Sequence, residues 1–158
     1  MSGFVSSPPS PVSPDGDTIE GGGFWPDVDV NLFRDTMRIG GQAIAQARVH
    51  EALIGAIIAV DIELARWQAD QVAAGFAKLD DVPAPRIGGR SVKASLWQRA
   101  VFSHATADLL ETHRDVTATG EGQKRADENA LTPDDHRRNA IHAIRDLLAV
   151  TRTGVELI

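Results

Sequence analysis

Apolar residues recur every three or four positions along most of the chain beyond residue 23, and no run alternates strictly between apolar and polar side chains. This spacing is that of a helix face, so the pattern predicts an all-α fold, a compact bundle of about four to five helices. The predicted helices are one capped by Asp27 or Asp29 that ends near residue 39, one over about 42–74, one from Ser91 or Val92 to about 113, a short polar one over 123–130, and a last one after the Thr132 cap.

The second predicted helix carries two separate lines of apolar residues. One line is Val49, Leu53, Ala56, Val60, Leu64 and Trp67, and the other is Ile54, Ile58, Ile62 and Ala65. This helix is therefore apolar over most of its circumference, which is typical of a helix covered on more than one side. Single apolar faces are predicted for the first helix (Leu32, Phe33, Met37) and for the last (Ala140, Ile141, Ile144, Leu147, Leu148).

The connector between the second and third helices, residues 73–93, is too apolar for a solvated linker and too rich in Gly and Pro for a helix. Four of its side chains are predicted to be buried, partly within the subunit and partly against a neighbouring one: Phe76, Leu79, Val82 and Ile87. These four are the first candidates for contacts with a partner.

The two ends of the chain differ from the helical part. Residues 1–23 are dominated by Ser, Pro and Gly, which predicts an extended arm because so little apolar surface cannot offset the entropy of ordering. Residues 151–158 are predicted to form an extended tail, with Val155, Leu157 and Ile158 as candidate contacts to another protein. The predicted organisation is an arm over 1–23, a helical domain over 24–150 and a tail over 151–158.

Composition limits what such a fold can do. Apolar residues make up 42% of the chain but aromatic residues only 5%, so we expect a thin core and burial against partner chains. The absence of cysteine excludes disulfides and thiolate metal sites. A formal net charge of −6 argues against nonspecific binding of nucleic acid or membrane by the whole surface. The chain has neither an apolar run of membrane-spanning length nor a signal-peptide pattern, so we expect it to be made and kept in a cytoplasm.

Candidate chemistry is sparse. His104, Asp108 and Glu111 lie on one face of the third predicted helix and could offer a nitrogen and two oxygens to a metal ion. Charged residues at these spacings more often form the solvated face of a helix, and metal ligands usually converge from several elements. The sequence therefore predicts no catalytic, metal-binding or cofactor-binding residue and no cofactor, and a small metal-dependent enzyme remains the less favoured alternative.

An ordered set of short segments carries a family resemblance. The segments are Phe24-Trp25-Pro26-Asp27-Val28-Asp29, Arg34 with Met37 and Arg38, Ala73-Ala74-Gly75-Phe76, Leu79, Asp81-Val82-Pro83-Ala84, Ile87, Gly89, Ser91-Val92-Lys93, Arg99-Ala100-Val101, Ala105-Thr106-Ala107-Asp108-Leu109, Arg114-Asp115-Val116, and Lys124 with Ala126-Asp127. In this order they resemble the head completion (head stabilisation) proteins of temperate phages with contractile tails. The likeness runs from about residue 24 to the C-terminus, with departures at Gly40-Gly41 and Thr132-Pro133.

The resemblance implies a structural virion protein rather than an enzyme, a helical adaptor at the head-to-tail interface that is assembled in the host bacterial cytoplasm. It implies a dodecameric ring that binds beneath the portal protein after DNA packaging. Such a ring extends the channel for genomic DNA without sequence-specific binding, docks the next connector or tail-terminator protein, and contacts no membrane. A helical regulatory or protein-binding module unrelated to virions remains a further alternative.

Overall fold

Four α-helices form most of the structure, a computed structural model that describes residues 13–39, 44–117 and 131–150. They are α1 (Val30–Met37), α2 (Gln46–Ala73), α3 (Val92–Thr117) and α4 (Pro133–Leu147). The same ranges contain a 3-10 turn (Leu79–Asp81) and the two-residue strands β1 (Thr18–Ile19), β2 (Val28–Asp29), β3 (Arg86–Ile87) and β4 (Arg90–Ser91). Strand β1 pairs with β2 and β3 with β4, both antiparallel. The expected all-α fold is therefore corrected to a mostly helical fold with two small sheets.

Helix α3 lies at the centre of the core. It packs along both α2 and α4, whereas α2 and α4 hardly contact each other. Its buried apolar residues are Ala94, Trp97, Ala100, Val101, Phe102, Ala105, Ala107 and Leu109. Because many of these are alanines, the neighbouring helices can approach α3 closely. This arrangement leaves α2 and α4 as the two outer helices of the bundle.

A cluster of aromatic rings fixes the segment before β2 to the helices. The ring of Trp25 stacks on Trp97 of α3 at 5.7 Å and on Trp67 of α2 at 6.3 Å between centroids. Phe24 meets the Trp25 ring edge-on at 4.9 Å. The indole Nε1 of Trp25 donates a hydrogen bond to Oδ1 of Asp61 on α2, at 2.7 Å. Such pairs stabilise beyond the area they bury, so this cluster orients α2 relative to α3.

Residues 13–23, which belong to the predicted arm, lie against the helical domain. The guanidinium of Arg34 on α1 is buried, and its Nε donates to Ser13 Oγ at 3.1 Å. The backbone N–H of Val30 donates to the carbonyl of Asp17 at 3.0 Å. A hydrogen bond between the His50 ring and the Asp17 carboxylate, at 2.9 Å, lowers the pKa of Asp17. Polar contacts thus tie this segment to both α1 and α2.

Three helices end in the same hydrogen-bond pattern. After α2, the N–H of Gly75 donates to the carbonyl of Val72 and the N–H of Phe76 to that of Gln71, with Gly75 at φ 98°. This is the Schellman arrangement, whose left-handed position favours glycine, and it confirms the predicted end of α2. Helices α1 and α4 end in the same way, but with Arg38 (φ 55°) and Ala149 (φ 56°) at the left-handed position.

Other helix boundaries agree with the prediction to different degrees. Asp29 caps α1, and Thr132 with Asp135 forms a capping box at the start of α4, both as predicted. Helix α2 begins at Gln46 rather than near residue 42, and α3 continues to Thr117, beyond the predicted end. The Gly40-Gly41 break, the polar helix over 123–130 and the tail over 151–158 lie outside the described residues.

Two predicted core residues are exposed instead. Leu32 on α1 and Ile141 on α4 both point away from the core, and Ile141 is 48% exposed. Each lies next to a residue that does face the core, Phe33 and Ala140. An apolar pair of neighbours cannot share one helix face, because successive residues differ in direction by about 100°.

Candidate interaction surface

One face of α2 is apolar and exposed along most of the helix. The opposite face packs into the core through Val49, Ala52, Leu53, Ala56, Val60 and Leu64. On the outer side Ile54 is 39%, Ile58 54% and Ile62 69% exposed. Three exposed alanines continue this line at helical spacing, and we name the set the isoleucine face: Ala47, Ile54, Ile58, Ile62, Ala65 and Ala69. The second apolar line predicted from the sequence is therefore left uncovered by residues 13–39, 44–117 and 131–150.

A groove of about 330 Å³ lies beside the isoleucine face. Ile54, Ile57 and Ile58 line it from α2, and further lining comes from Ile19, Glu20, Gly21, Gly22, Trp25, Asp61 and Gln68. The groove therefore extends the exposed apolar surface of α2 towards the segment around β1. Such an extended apolar surface marks a contact site for another protein chain.

Gly55 lies in the exposed part of α2. Glycine is among the poorest helix formers, and a Cβ atom at this position would meet no atom within 4 Å. Nothing in the described part of the chain therefore requires glycine here. Gly55 is three residues from Ile58 and four from Glu51, so it is their neighbour on the helix surface. Because Gly55 has no side chain, the helix has a shallow depression beside the isoleucine face. A glycine at such a position lets a second backbone approach closely.

Four charged residues of α2 border the isoleucine face or interrupt it. Glu51 lies in line with it, and Arg48, Arg66 and Asp70 lie along one flank, all four exposed. Within residues 13–39, 44–117 and 131–150, none of the four takes part in an ion pair. The surface thus combines apolar side chains with charges that are available to a partner.

The four connector residues take different positions. Leu79 and Val82 are buried in the core of the same chain, and the N–H of Leu79 donates to the carbonyl of Phe24 at 2.9 Å. Phe76 is half-buried against the core, and Ile87 is 74% exposed at the end of the β3–β4 hairpin. Leu79 and Val82 therefore offer little surface to a partner, whereas Ile87 offers most of its side chain. Contact of any of the four with a partner remains a prediction.

The candidate tail contacts Val155, Leu157 and Ile158 lie outside the described residues. Their contact with another protein also remains a prediction. The isoleucine face, by contrast, was not among the candidate contacts named from the sequence. Its signal was present as the second apolar line of α2, but the sequence pattern does not tell which line the same chain covers.

The three residues considered for a metal site take different positions: His104 and Asp108 line a cavity between α2 and α3, whereas Glu111 faces α4. Glu111 pairs with Arg137 of α4, and the hydrogen bond from this guanidinium lowers the pKa of Glu111. The ring Nε2 of His104 lies 3.9 Å from Glu63, and burial lowers the pKa of His104. Among the described residues no group of three or more His, Cys, Asp or Glu side chains could hold a metal ion.

The paired arginines of α4 are occupied by carboxylates. Arg137 contacts Asp134 at 3.1 Å in addition to Glu111, and Arg138 contacts Asp135 at 3.3 Å. Ion pairs of this kind are typical of a solvated helix face rather than a phosphate-binding patch. In the described residues, no helix is both long and apolar enough to cross a membrane.

Comparison with known proteins identifies the family. The family model described as phage head completion protein (GPL) matches residues 19–158. The chain is 39% identical to the head completion/stabilization protein of Escherichia phage P2 over 121 residues, which cover 77% of this chain and 71% of that protein. It is 29% identical to a probable head completion/stabilization protein of Haemophilus phage HP1 over 147 residues, covering 91% and 94%. No solved structure matches the chain.

The family match begins at residue 19, five residues before the segment that carries the resemblance seen in the sequence. It covers all four helices, the connector and the tail. The family match, together with a relative that is a head completion/stabilization protein and a second that is a probable one, excludes the alternatives of a metal-dependent enzyme and of a helical module unrelated to virions. The chain belongs to the phage head completion protein family and is a structural, non-enzymatic component of a tailed-phage virion.

Proposed function

We propose that this protein is an adaptor that binds beneath the portal after DNA packaging and provides the docking surface for the next connector or tail-terminator protein. The observation that carries this proposal is the family match over residues 19–158. The names of the relatives refer to completing and stabilising the head. A filled head has its opening at the portal, so a protein that completes the head acts at that opening.

The proposed assembly is a homo-oligomeric, dodecameric ring. Supporting this, the two outer helices of the bundle both expose apolar side chains, Ile58 on α2 and Ile141 on α4. Contact of α2 in one copy with α4 in the next is heterologous, and a series of such contacts closes into a ring when the rotation between copies allows it. Burial in the ring would cover apolar side chains that the described part of a single chain leaves exposed.

The ring would extend the channel through which genomic DNA passes. The formal net charge of the chain is −6. An acidic channel wall forms few phosphate contacts, so DNA could slide through it without being held and without sequence-specific binding.

The proposed contacts with the portal are made by the C-terminal tail, through Val155, Leu157 and Ile158. An extended apolar segment at a chain end can bind along the surface of another protein, for example as an added strand at the edge of a sheet. Phe76 and Ile87, which keep exposed surface in the connector, are proposed to contact the neighbouring subunit.

Deletion of residues 151–158 tests the portal contact. We expect the shortened protein to keep its helical circular dichroism spectrum and to lose binding to purified portal rings, measured by co-sedimentation and by electron microscopy of the mixture. A matched pair of full-length variants separates apolar from polar contributions. Val155, Leu157 and Ile158 changed to Asp should abolish binding, and Thr151, Arg152 and Thr153 changed to Ala should preserve it.

The two levels of the proposal fail in different ways. If the deletion variant binds portal rings as well as the full-length chain, the tail is not the contact, although the adaptor function stands. If the full-length chain itself does not bind portal rings, the adaptor function is wrong.

A further inference from the structure

We propose that the isoleucine face pairs two copies of this chain in the free protein, through an antiparallel contact between their α2 helices with a two-fold axis beside Ile58. The occupant of the exposed face is thus a second copy of the chain. This inference does not rest on the adaptor function, because it follows from the sequence and exposure of α2 alone.

The spacing along the face is symmetric about Ile58. The residues of the face, together with Glu51 that lies in line with them, occupy positions 47, 51, 54, 58, 62, 65 and 69, with successive separations of four, three, four, four, three and four residues. Reversing the helix direction about Ile58 therefore superposes the set on itself: Ile54 faces Ile62 of the second copy, and Ala47 faces its Ala69. An isologous contact requires a surface that is complementary to itself in this way.

The face is also straight enough for two helices to lie along each other. Positions 47 to 58 and 58 to 69 each span 11 residues, which is close to three full turns of an α-helix. The line therefore shifts by only about 20° around α2 in each interval. Contact can extend over 22 residues, or about 33 Å of helix length.

The charges beside the face pair with each other under the same symmetry. With Ile58 at the two-fold axis, Glu51 is level with residue 65 of the second copy, one position from Arg66, and Arg48 is level with residue 68, two positions from both Arg66 and Asp70. The axis also places the same flank of both helices side by side. Glu51 thus meets Arg66 of the second copy and Arg48 meets its Asp70, and each pair occurs twice. All four residues are exposed and make no ion pair within the described part of their own chain.

Gly55 fits the same contact. Its Cβ position is open among the residues that the structure describes, so their packing does not require the glycine. Beside the two-fold axis, the absence of a side chain lets the two backbones come close, and interaxial distances of about 8 Å become possible. One helix on one helix buries less than the roughly 800 Å² per partner of a standard stable interface. The dimer should therefore be reversible and concentration-dependent.

Cross-linking tests the geometry directly, because the chain has no cysteine of its own. A residue on the two-fold axis lies opposite its own copy, so Ile58→Cys should form a disulfide-linked dimer under mild oxidation by diamide. The matched control is Glu63→Cys, an exposed position of α2 that points away from the isoleucine face, which should remain monomeric. Both are read on a non-reducing gel.

Two results would overturn the proposal. One is the absence of an Ile58→Cys dimer at protein concentrations at which Glu63→Cys is equally soluble. The other is cross-linking only when Ile58→Cys is mixed with Ile141→Cys, because this would assign the face to a heterologous contact with α4.

Sedimentation velocity provides a second measurement that needs no cross-link. The wild-type protein should shift from monomer to dimer with rising concentration, and Ile58→Asp should remain monomeric with an unchanged circular dichroism spectrum. Ile141→Asp is the matched control, since Ile141 is exposed to a similar extent but lies on α4. It should dimerise like the wild type, and loss of the dimer there instead would contradict the proposal.

Reversal of charge tests the register. Glu51→Arg alone should weaken the dimer by about tenfold, and adding Arg66→Glu should restore most of the affinity. A double variant no stronger than the single one would exclude the antiparallel register centred on Ile58.

Discussion

His136 on α4 makes the stability of this protein sensitive to pH. The residue is only 8% exposed, and its Nδ1 has no hydrogen-bond partner in the described part of the chain. Burial lowers the pKa of His136, and the nearby charge of Asp135 opposes this shift without cancelling it. In the unfolded chain the pKa returns to about 6.5. Below this pH the unfolded state therefore binds a proton more readily than the folded state, and folding becomes less favourable.

We predict that His136→Gln reduces the loss of stability on acidification. The free energy of unfolding of the wild type should fall between about pH 7 and pH 5, and that of the variant should fall less, because glutamine does not titrate. Urea unfolding at several pH values in this range measures both curves. Above about pH 7 the histidine is neutral in both states, so the difference there reports packing alone. Parallel curves over the whole range would show that protonation of His136 is not linked to folding.

Single glycines show why some residue roles cannot be predicted from sequence. Gly21 lies in a run of three glycines that predicts flexibility, but it is buried and donates its N–H to Asp27 at 3.2 Å. A side chain at Gly21 would collide with the carbonyl groups of Trp25 and Pro26. The need for glycine here comes from the close approach of residues several positions away, which local sequence does not encode.

At the scale of elements, the ends of the helices show how far local sequence determines structure. Thr132, Pro133 and Asp135 specify the start of α4, and Gly75 specifies the end of α2, because each supplies a backbone partner or a dihedral angle at its own position. The β3–β4 hairpin is not predicted from the sequence, although Gly88-Gly89 forms its turn. Strands of two residues are too short to show the alternation of apolar and polar side chains that indicates a strand.

The end of α4 offers a direct test of the left-handed position. Ala149 has φ 56°, a conformation that costs an L-residue about 1–2 kcal/mol and glycine almost nothing. We predict that Ala149→Gly raises the free energy of unfolding by up to about 1 kcal/mol. The increase is smaller than the strain that is relieved, because glycine also has more conformational entropy in the unfolded chain, which favours unfolding. Thermal and urea unfolding measure the change.

The reciprocal substitution is the control for this prediction. Gly75→Ala, at the corresponding position after α2, should destabilise by a similar amount. If Ala149→Gly and Gly75→Ala change the free energy of unfolding in the same direction, the left-handed backbone conformation is not the cause of these changes.

At the scale of the whole molecule, the limit of sequence reasoning is the choice between two apolar faces. The pattern of α2 identifies Leu53 and Ile54 equally as apolar, and only the position of α3 decides that Leu53 is buried and Ile54 exposed. The bundle of helices was therefore predictable from periodicity. The surface it leaves open was not, because it depends on how many neighbours each helix has.

The proposed dimer and the proposed ring use the same face of α2, so they should exclude each other. In the dimer, Ile58 contacts its own copy; in the ring, α2 contacts α4 of the next subunit. We predict that Ile58→Cys, oxidised to the disulfide-linked dimer, does not assemble on portal rings, and that reduction with dithiothreitol restores assembly. Imaging of the mixture before and after reduction measures the difference.

Glu63→Cys under the same oxidation controls for effects of the reagent and should assemble throughout. Assembly of the locked dimer on the portal would show that the ring does not use the isoleucine face, while leaving the dimer itself in place. If dimer and ring exclude each other, the free protein keeps its isoleucine face covered in the dimer until subunits assemble on the portal. In the ring, α4 of the next subunit then covers this face instead. Because binding to the portal must then replace the α2 contact, the rate of ring formation should fall as the dimer is strengthened.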